Sequence, residues 1–161
     1  MKRLLILRHG KSDWGDSSLD DWHRPLSGRG IVDAPRVGEV LRTQSRVPDI
    51  IVTSDAVRAR ATAEAVARSA GYTREIVLEP SFYLATPDTI IGVLNGLSDD
   101  VESVLIVGHN PGFEDLLQAL TGDDHEMPTA ALAQLALPID RWSDLDASIQ
   151  ANMTDYWRPN G

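Results

Sequence analysis

Short aliphatic runs alternate along the chain with longer segments in which apolar residues recur every three or four positions. A run of a few aliphatic residues between polar flanks is typical of a strand buried on both faces, whereas the three-to-four spacing indicates an amphipathic helix. The alternation predicts an α/β fold: a three-layer αβα domain with a mostly parallel central sheet and right-handed crossovers. Strands are predicted at 4–7, 50–53, 75–78 and 103–107, and helices at 31–42, 56–69, 87–97 and 113–120.

The helix boundaries carry local signals. Ser27 precedes the first helix and Ser54-Asp55 precedes the second, where these residue types act as N-caps. Pro35 predicts a kink in the first helix, and Gly71 ends the second. The polar stretch 11–24 reads as a long loop, and long loops in compact domains are often functional.

The C-terminal quarter is less clearly patterned. Residues 129–137 fit a strand or a helix, and their position between Pro128 and Pro138 favours a strand. Residues 148–156 alternate polar and apolar side chains, which is typical of a half-exposed strand.

Composition narrows the function. A length of 161 residues suits one domain, 1–161, and the 24 acidic against 15 basic residues give a net charge of -9, which argues against partners such as nucleic acid or an anionic membrane. The chain has no cysteine, and its four histidines lack metal-site spacing, so we expect no metal or other cofactor. The first apolar run is too short for a signal peptide and no run reaches membrane-spanning length, so we expect a cytoplasmic location.

Three predicted strands end in polar signatures: Arg8-His9-Gly10, Ser54 to Arg58, and Gly108 to Gly112. If the strands are parallel, the signatures converge on one edge of the sheet, where ligands of open α/β sheets bind. Two arginines offer planar forks for phosphoryl oxygens, and histidine can act as nucleophile, acid or hydrogen-bond donor. Phosphoryl transfer is the chemistry that this set favours.

Each member also has a simpler interpretation. Arg8 and His9 can merely cap a strand, Arg58 can be solvated on an alanine-rich helix, and His109 can serve a turn that needs glycine and asparagine. The four residues together are stronger evidence for a phosphoryl-transfer site than any one of them alone.

The signatures resemble those of the histidine phosphatase superfamily, also called phosphoglycerate mutase-like, and more narrowly its small bacterial phosphohistidine phosphatases. The resemblance implies that His9 is the nucleophile and forms a phosphohistidine intermediate, while the other catalytic residues, Arg8, Arg58 and His109, stabilise charge around the phosphoryl group. It further implies a phosphate or sulfate anion in the pocket and substrate-binding roles for Gly10, Ser12, Gly108 and Asn110, with N–H donors from the Gly10 backbone or from the N-terminus of the helix that holds Arg58. The motifs that carry it are Arg8-His9-Gly10-Lys11-Ser12-Asp13-Trp14, Arg24-Pro25-Leu26-Ser27, Asp33-Ala34-Pro35-Arg36, Ser54-x-Ala-x-Arg58-Ala-x-x-Thr62-Ala-Glu64, Gly108-His109-Asn110-Pro111-Gly112 and Met127-Pro128-Thr129-Ala130-Ala131.

One position departs from the superfamily. Its usual general acid follows the third strand, and aligning residues 79–84 with that pattern puts Leu84 at the position of the acid. An alkoxide leaving group needs a proton, whereas the imidazole of phosphohistidine can leave protonated on its other nitrogen. A phosphohistidine-bearing protein is therefore the favoured substrate and partner, although Asp13, Glu79 or Asp88 remains an alternative acid.

Two other functions stay open. One is a phosphatase or mutase for small phosphate monoesters, and the other is a phosphoprotein-binding module without catalysis. The second is disfavoured, because binding needs only the arginines and the chain keeps both histidines.

Overall fold

A computed structural model describes residues 1–159 of the chain. Its strands are β1 Lys2–Arg8, β2 Ile50–Thr53, β3 Ile76–Leu78, β4 Ser103–Gly108, β5 Leu132–Leu137 and β6 Asn152–Trp157. They form one six-stranded sheet in the order β3-β2-β4-β1-β5-β6. The first four strands run parallel, whereas β5 and β6 are antiparallel to their neighbours, so the mostly parallel sheet is confirmed.

Four α-helices flank the sheet at α1 Gly28–Thr43, α2 Val57–Ala70, α3 Pro87–Asn95 and α4 Gly112–Thr121, with 3-10 turns at Pro80–Phe82 and Trp142–Asp144. Every predicted helix and strand is present, with ends that differ from the prediction by at most four residues. The Ser27 hydroxyl accepts a hydrogen bond from the Gly30 N–H and caps α1 as predicted. Gly71 ends α2 in the left-handed conformation, with φ of 76°.

The predicted cap of α2 is wrong. The N-cap residue is Ala56, and no side chain caps this helix. The Ser54 hydroxyl instead accepts from the Ala56 N–H at 3.2 Å and contacts His109, while the Asp55 carboxylate accepts from the indole of Trp22. Both candidate cap side chains are therefore used in contacts outside the helix.

Strand β1 separates two hydrophobic cores. Successive side chains of a strand point to opposite faces of its sheet, so an unbroken aliphatic run has to be covered on both sides. Leu4 and Ile6 pack in the core that contains α3 and α4, whereas Leu5 and Leu7 pack in the core of α1 and α2. All four side chains are fully buried, which fixes β1 at the centre of the sheet.

The parallel pairing brings the strand ends together. Arg8 is the register partner of Gly108, and Thr53 is the partner of Val107. The residues that follow β1, β2 and β4 consequently meet at the carboxyl edge of the sheet. Within residues 1–159, no helix is long and apolar enough to cross a membrane.

Candidate active site

A cavity of about 340 Å³ opens at the carboxyl edge of the sheet, and we call it the phosphoryl pocket. It brings together the four predicted catalytic residues, which come from the ends of β1 and β4 and from the first turn of α2. Two of the four predicted substrate-binding residues also line it. The lining residues are Arg8, His9, Lys11, Ser12, Trp14, Asp21, Arg24, Arg58, His109, Asn110 and Thr129.

His9 is held in one orientation by the backbone. Its Nδ1 lies 2.7 Å from the carbonyl oxygen of Gly10, and its own backbone N–H donates to the Gly108 carbonyl at 3.0 Å. Because a carbonyl only accepts, Nδ1 carries the proton and Nε2 keeps its lone pair. Burial lowers the pKa of His9 to about 3, so the ring is neutral near pH 7. A neutral imidazole that keeps its Nε2 lone pair, toward which the Arg58 Nε–H donates at 3.4 Å, is suited to nucleophilic attack.

His109 faces His9 at a ring-centroid separation of 5.1 Å. Its Nε2 lies 2.8 Å from the Ser54 hydroxyl, and its buried Nδ1 has no hydrogen-bond partner among the described residues. When the Ser54 hydroxyl donates to Nε2, Nδ1 carries the proton and is free to donate to an anion. Burial, with the charge of Arg58 adding to it, lowers the pKa of His109 to about 4.

Arg8 is anchored by the chain segment before β5. Its Nη1 donates to the Met127 carbonyl at 3.1 Å, and its backbone carbonyl accepts from the Ala130 N–H. Its buried Nε has no partner within residues 1–159. Burial lowers its pKa from the ordinary arginine value. The free donor and the retained positive charge suit an anionic ligand.

The backbone carbonyls of Gly10 and Gly108 accept hydrogen bonds from His9 and hold it in place. The Gly10 N–H donates to the Thr62 hydroxyl at 3.0 Å, so it is not free to bind an anion in the way that the resemblance implied. Its contribution is the carbonyl that fixes the His9 tautomer. A Cβ at Gly108 would come within 2.6 Å of the Phe113 ring, so only glycine fits there without a shift.

Of the four residues expected to bind substrate, Ser12 and Asn110 line the phosphoryl pocket, whereas Gly10 and Gly108 do not. The Ser12 hydroxyl accepts a short hydrogen bond from Arg24. The Asn110 amide nitrogen donates to the Met127 carbonyl at 2.9 Å. The Asn110 Oδ1 is buried and has no hydrogen-bond partner among residues 1–159.

Two further pocket residues, Asp21 and Arg24, come from the long loop 11–24; the sequence named Arg24 only within a motif and gave no role to Asp21. Asp21 accepts hydrogen bonds from Arg58, Arg24 and Tyr83, and the Tyr83 bond, ahead of the arginine contacts, lowers its pKa to about 2. Arg24 is buried, with Trp14 lying over its guanidinium. The Arg24-Pro25-Leu26-Ser27 motif drew attention to this region, but no local spacing links Asp21 to an arginine 37 residues later.

The usual position of the general acid holds Leu84, and none of the alternative acids named from the sequence lines the phosphoryl pocket. Leu84 is 86 % exposed and carries no acidic group. Asp13, Glu79 and Asp88 are not among the residues that line the phosphoryl pocket, and Asp21, which does line it, is ionised. No group of three or more metal-binding side chains occurs within residues 1–159.

Comparison with known proteins adds independent evidence. The sequence profile described as the histidine phosphatase superfamily (branch 1) matches residues 4–83. An uncharacterised chloroplastic protein of Arabidopsis thaliana is 32 % identical over 152 residues, which cover 89 % of this chain and 70 % of the relative.

Two solved structures share the whole fold. The candidate phosphohistidine phosphatase SixA of Agrobacterium tumefaciens superposes with a TM-score of 0.84 and 28 % identity over 98 % of both chains. A protein histidine phosphatase SixA complexed with tungstate gives a TM-score of 0.81 at 22 % identity, over 96 % of this chain and 95 % of that one. With the strand-end signatures gathered in one pocket, these matches show that the chain belongs to the histidine phosphatase superfamily and is a small, SixA-like member of it.

Proposed function

We propose that the protein is a cytoplasmic phosphatase that hydrolyses phosphohistidine on another protein through a covalent intermediate on His9. The observation that carries this proposal is the His9 ring: its Nδ1 is fixed by the Gly10 carbonyl at 2.7 Å, and its Nε2 lies 3.4 Å from the Arg58 Nε in a pocket lined by three arginines. Such a site offers a nucleophile and fixed positive charge to a phosphoryl group.

The reaction takes place in two steps. The His9 Nε2 lone pair attacks phosphorus, the bond from phosphorus to the substrate nitrogen breaks, and the electron pair leaves with the substrate imidazole, which departs neutral because its other nitrogen is protonated. Water then attacks the phosphorus on His9, the bond to Nε2 breaks, and the water proton passes to phosphate or solvent. Arg8, Arg58 and His109 stabilise the equatorial oxygens in both transition states.

The choice of substrate depends on the leaving group. The superfamily's usual acid position holds Leu84, and Asp21, with a pKa of about 2, has no proton to give near neutral pH. An alkoxide would leave this pocket without protonation, whereas an imidazole needs none from the enzyme. The similarity to SixA proteins supports the same choice, and the tungstate held by one of them supports an anion-binding pocket.

The test is rapid mixing of the protein with a phosphohistidine peptide, followed by detection of protein-bound phosphate that is labile to acid and stable to base. We expect a burst of phosphoenzyme in the wild type, no burst in His9→Ala, and an unchanged burst in the control His125→Ala, whose histidine lies outside the phosphoryl pocket. A phosphate monoester assayed in parallel should turn over far more slowly. Equal rates for the ester would refute the phosphohistidine assignment, and a burst that survives in His9→Ala would refute the nucleophile.

A further inference from the structure

We propose that Asp21 is a positioning residue that turns one edge of the Arg58 guanidinium toward the phosphoryl group on His9. This inference rests on the proposed function only in taking His9 as the place where the phosphoryl group sits. Asp21 comes from the loop 11–24, whereas Arg58 is in the first turn of α2. The side chain of Arg58 is 8 % exposed and that of Asp21 49 %, so the carboxylate closes the outer side of a buried cation.

The guanidinium of Arg58 has an end-on edge formed by Nη1 and Nη2 and a side edge that includes Nε, and the two edges have different partners. The end-on edge is taken by Asp21, whose backbone carbonyl accepts from Nη1 at 2.6 Å and whose carboxylate accepts from Nη2 at 2.9 Å. The side edge points elsewhere, because Nε faces the His9 Nε2 at 3.4 Å. With both terminal nitrogens held by one residue, the plane of the guanidinium is fixed and its side edge is presented to the nucleophile.

Asp21 also reaches the other side of the phosphoryl pocket. The Tyr83 hydroxyl donates to the same carboxylate oxygen at 2.5 Å, and the Tyr83 ring meets the ring of His109 edge-on at a centroid separation of 5.4 Å. The second carboxylate oxygen accepts from Arg24 at 2.7 Å. The Asp21 carboxylate therefore connects the loop 11–24 with Arg58 and, through the ring of Tyr83, with His109.

The direction in which anion affinity changes on Asp21→Asn distinguishes a positioning role of Asp21 from a purely electrostatic one. A carboxylate beside a phosphoryl site repels a phosphate dianion, so electrostatics alone predicts that Asp21→Asn tightens anion binding. If Asp21 instead aligns Arg58, its neutral variant loosens the guanidinium and weakens anion binding.

The experiment measures the Kd of inorganic phosphate by direct calorimetric titration, together with kcat and KM for a phosphohistidine peptide. For Asp21→Asn we expect phosphate binding to weaken by about tenfold, and kcat/KM to fall by about tenfold with most of the loss in kcat, since hydrogen bonds to charged groups have effects of this order. The matched control is Asp20→Asn, which removes the same charge from the neighbouring residue, whose carboxylate pairs with His23. It should change neither quantity by more than twofold. Unchanged or tighter phosphate binding in Asp21→Asn would overturn the proposal.

Two further variants keep the test decisive. Asp21→Glu retains the charge and displaces the carboxylate by one methylene, so positioning predicts a loss of phosphate affinity and charge alone predicts none. In an Arg58→Lys background, which lacks the planar fork, Asp21→Asn should add less than a twofold loss, whereas a full tenfold loss there would show that Asp21 does not act through Arg58. Phosphate affinity is measurable even if the protein does not hydrolyse phosphohistidine, so failure of the proposed function and failure of this inference are distinguishable.

Discussion

The two pocket histidines should make the protein less stable in mild acid. His9 and His109 are 6 % and 8 % exposed, and burial lowers their pKa values to about 3 and about 4. In the unfolded chain both return to the ordinary histidine pKa of about 6.5. Between pH 6.5 and the folded values the unfolded state binds protons that the folded state does not, so the free energy of unfolding falls as the pH falls through this interval.

The expected magnitude follows from the size of these shifts. One pH unit corresponds to about 1.4 kcal/mol per group, so acidification from pH 6.5 to pH 5 removes about 2 kcal/mol for each histidine and about 4 kcal/mol for the pair. That is a large part of the roughly 5 to 15 kcal/mol that is typical of a folded domain.

The assay is urea unfolding at pH 7.5 and pH 5.0, in buffers free of phosphate and sulfate because a bound anion would change both pKa values. The comparison is between the wild type and the double variant His9→Gln, His109→Gln, in which the titration of all other groups is retained. The wild type should lose about 4 kcal/mol more than the double variant over this interval. Equal losses in the two proteins would show that these histidines are not buried in the neutral form.

Three further predictions concern single side chains. Gly38→Ala should lower the free energy of unfolding by about 1–3 kcal/mol in chemical denaturation, because the new Cβ would lie 2.5 Å from the Val66 carbonyl oxygen, whereas an unchanged midpoint would mean that α1 and α2 separate easily. Thr62→Val should cost about 1–3 kcal/mol in the same measurement, since it leaves the buried Gly10 N–H without an acceptor, and a neutral result would imply that another acceptor replaces the hydroxyl. Leu84→Glu should raise turnover of a phosphate monoester by about tenfold or more while phosphohistidine turnover stays the same; the control is Leu84→Gln, and an equal gain in that control would contradict the role assigned to a missing acid.

The sequence predicted those parts of the structure that depend on local pattern. The aliphatic runs at 4–7, 50–53 and 103–107 identified strands buried on both faces, and their parallel arrangement placed His9 and His109 in one pocket. No homologous structure is needed for that inference, because the carboxyl ends of parallel strands meet at one edge.

Contacts that depend on the path of a loop were not predictable in this way. The hydrogen bonds between Asp21 and Arg58 join residues 37 positions apart, and nothing in the polar stretch 11–24 fixes which of its carboxylates turns inward. The cap of α2 failed for a related reason: Ser54 has the right chemistry for an N-cap, but His109 uses its hydroxyl, and only the folded chain shows that competition. Local propensity is a weak guide wherever a tertiary contact claims the same side chain.

The central place of β1 has a consequence for how the chain folds. Its two neighbours in the sheet are β4 and β5, so its hydrogen-bonding partners lie between residues 103 and 137. Until those residues have left the ribosome, the run Leu4 to Leu7 has no partner strand, and only local pairs such as α1 with α2 can form. A high share of contacts between distant parts of the sequence slows folding and prolongs the exposure of apolar segments. His9 therefore follows a segment that stays unpaired until residues 103–137 have been synthesised, so the phosphoryl pocket assembles only after those strands are available.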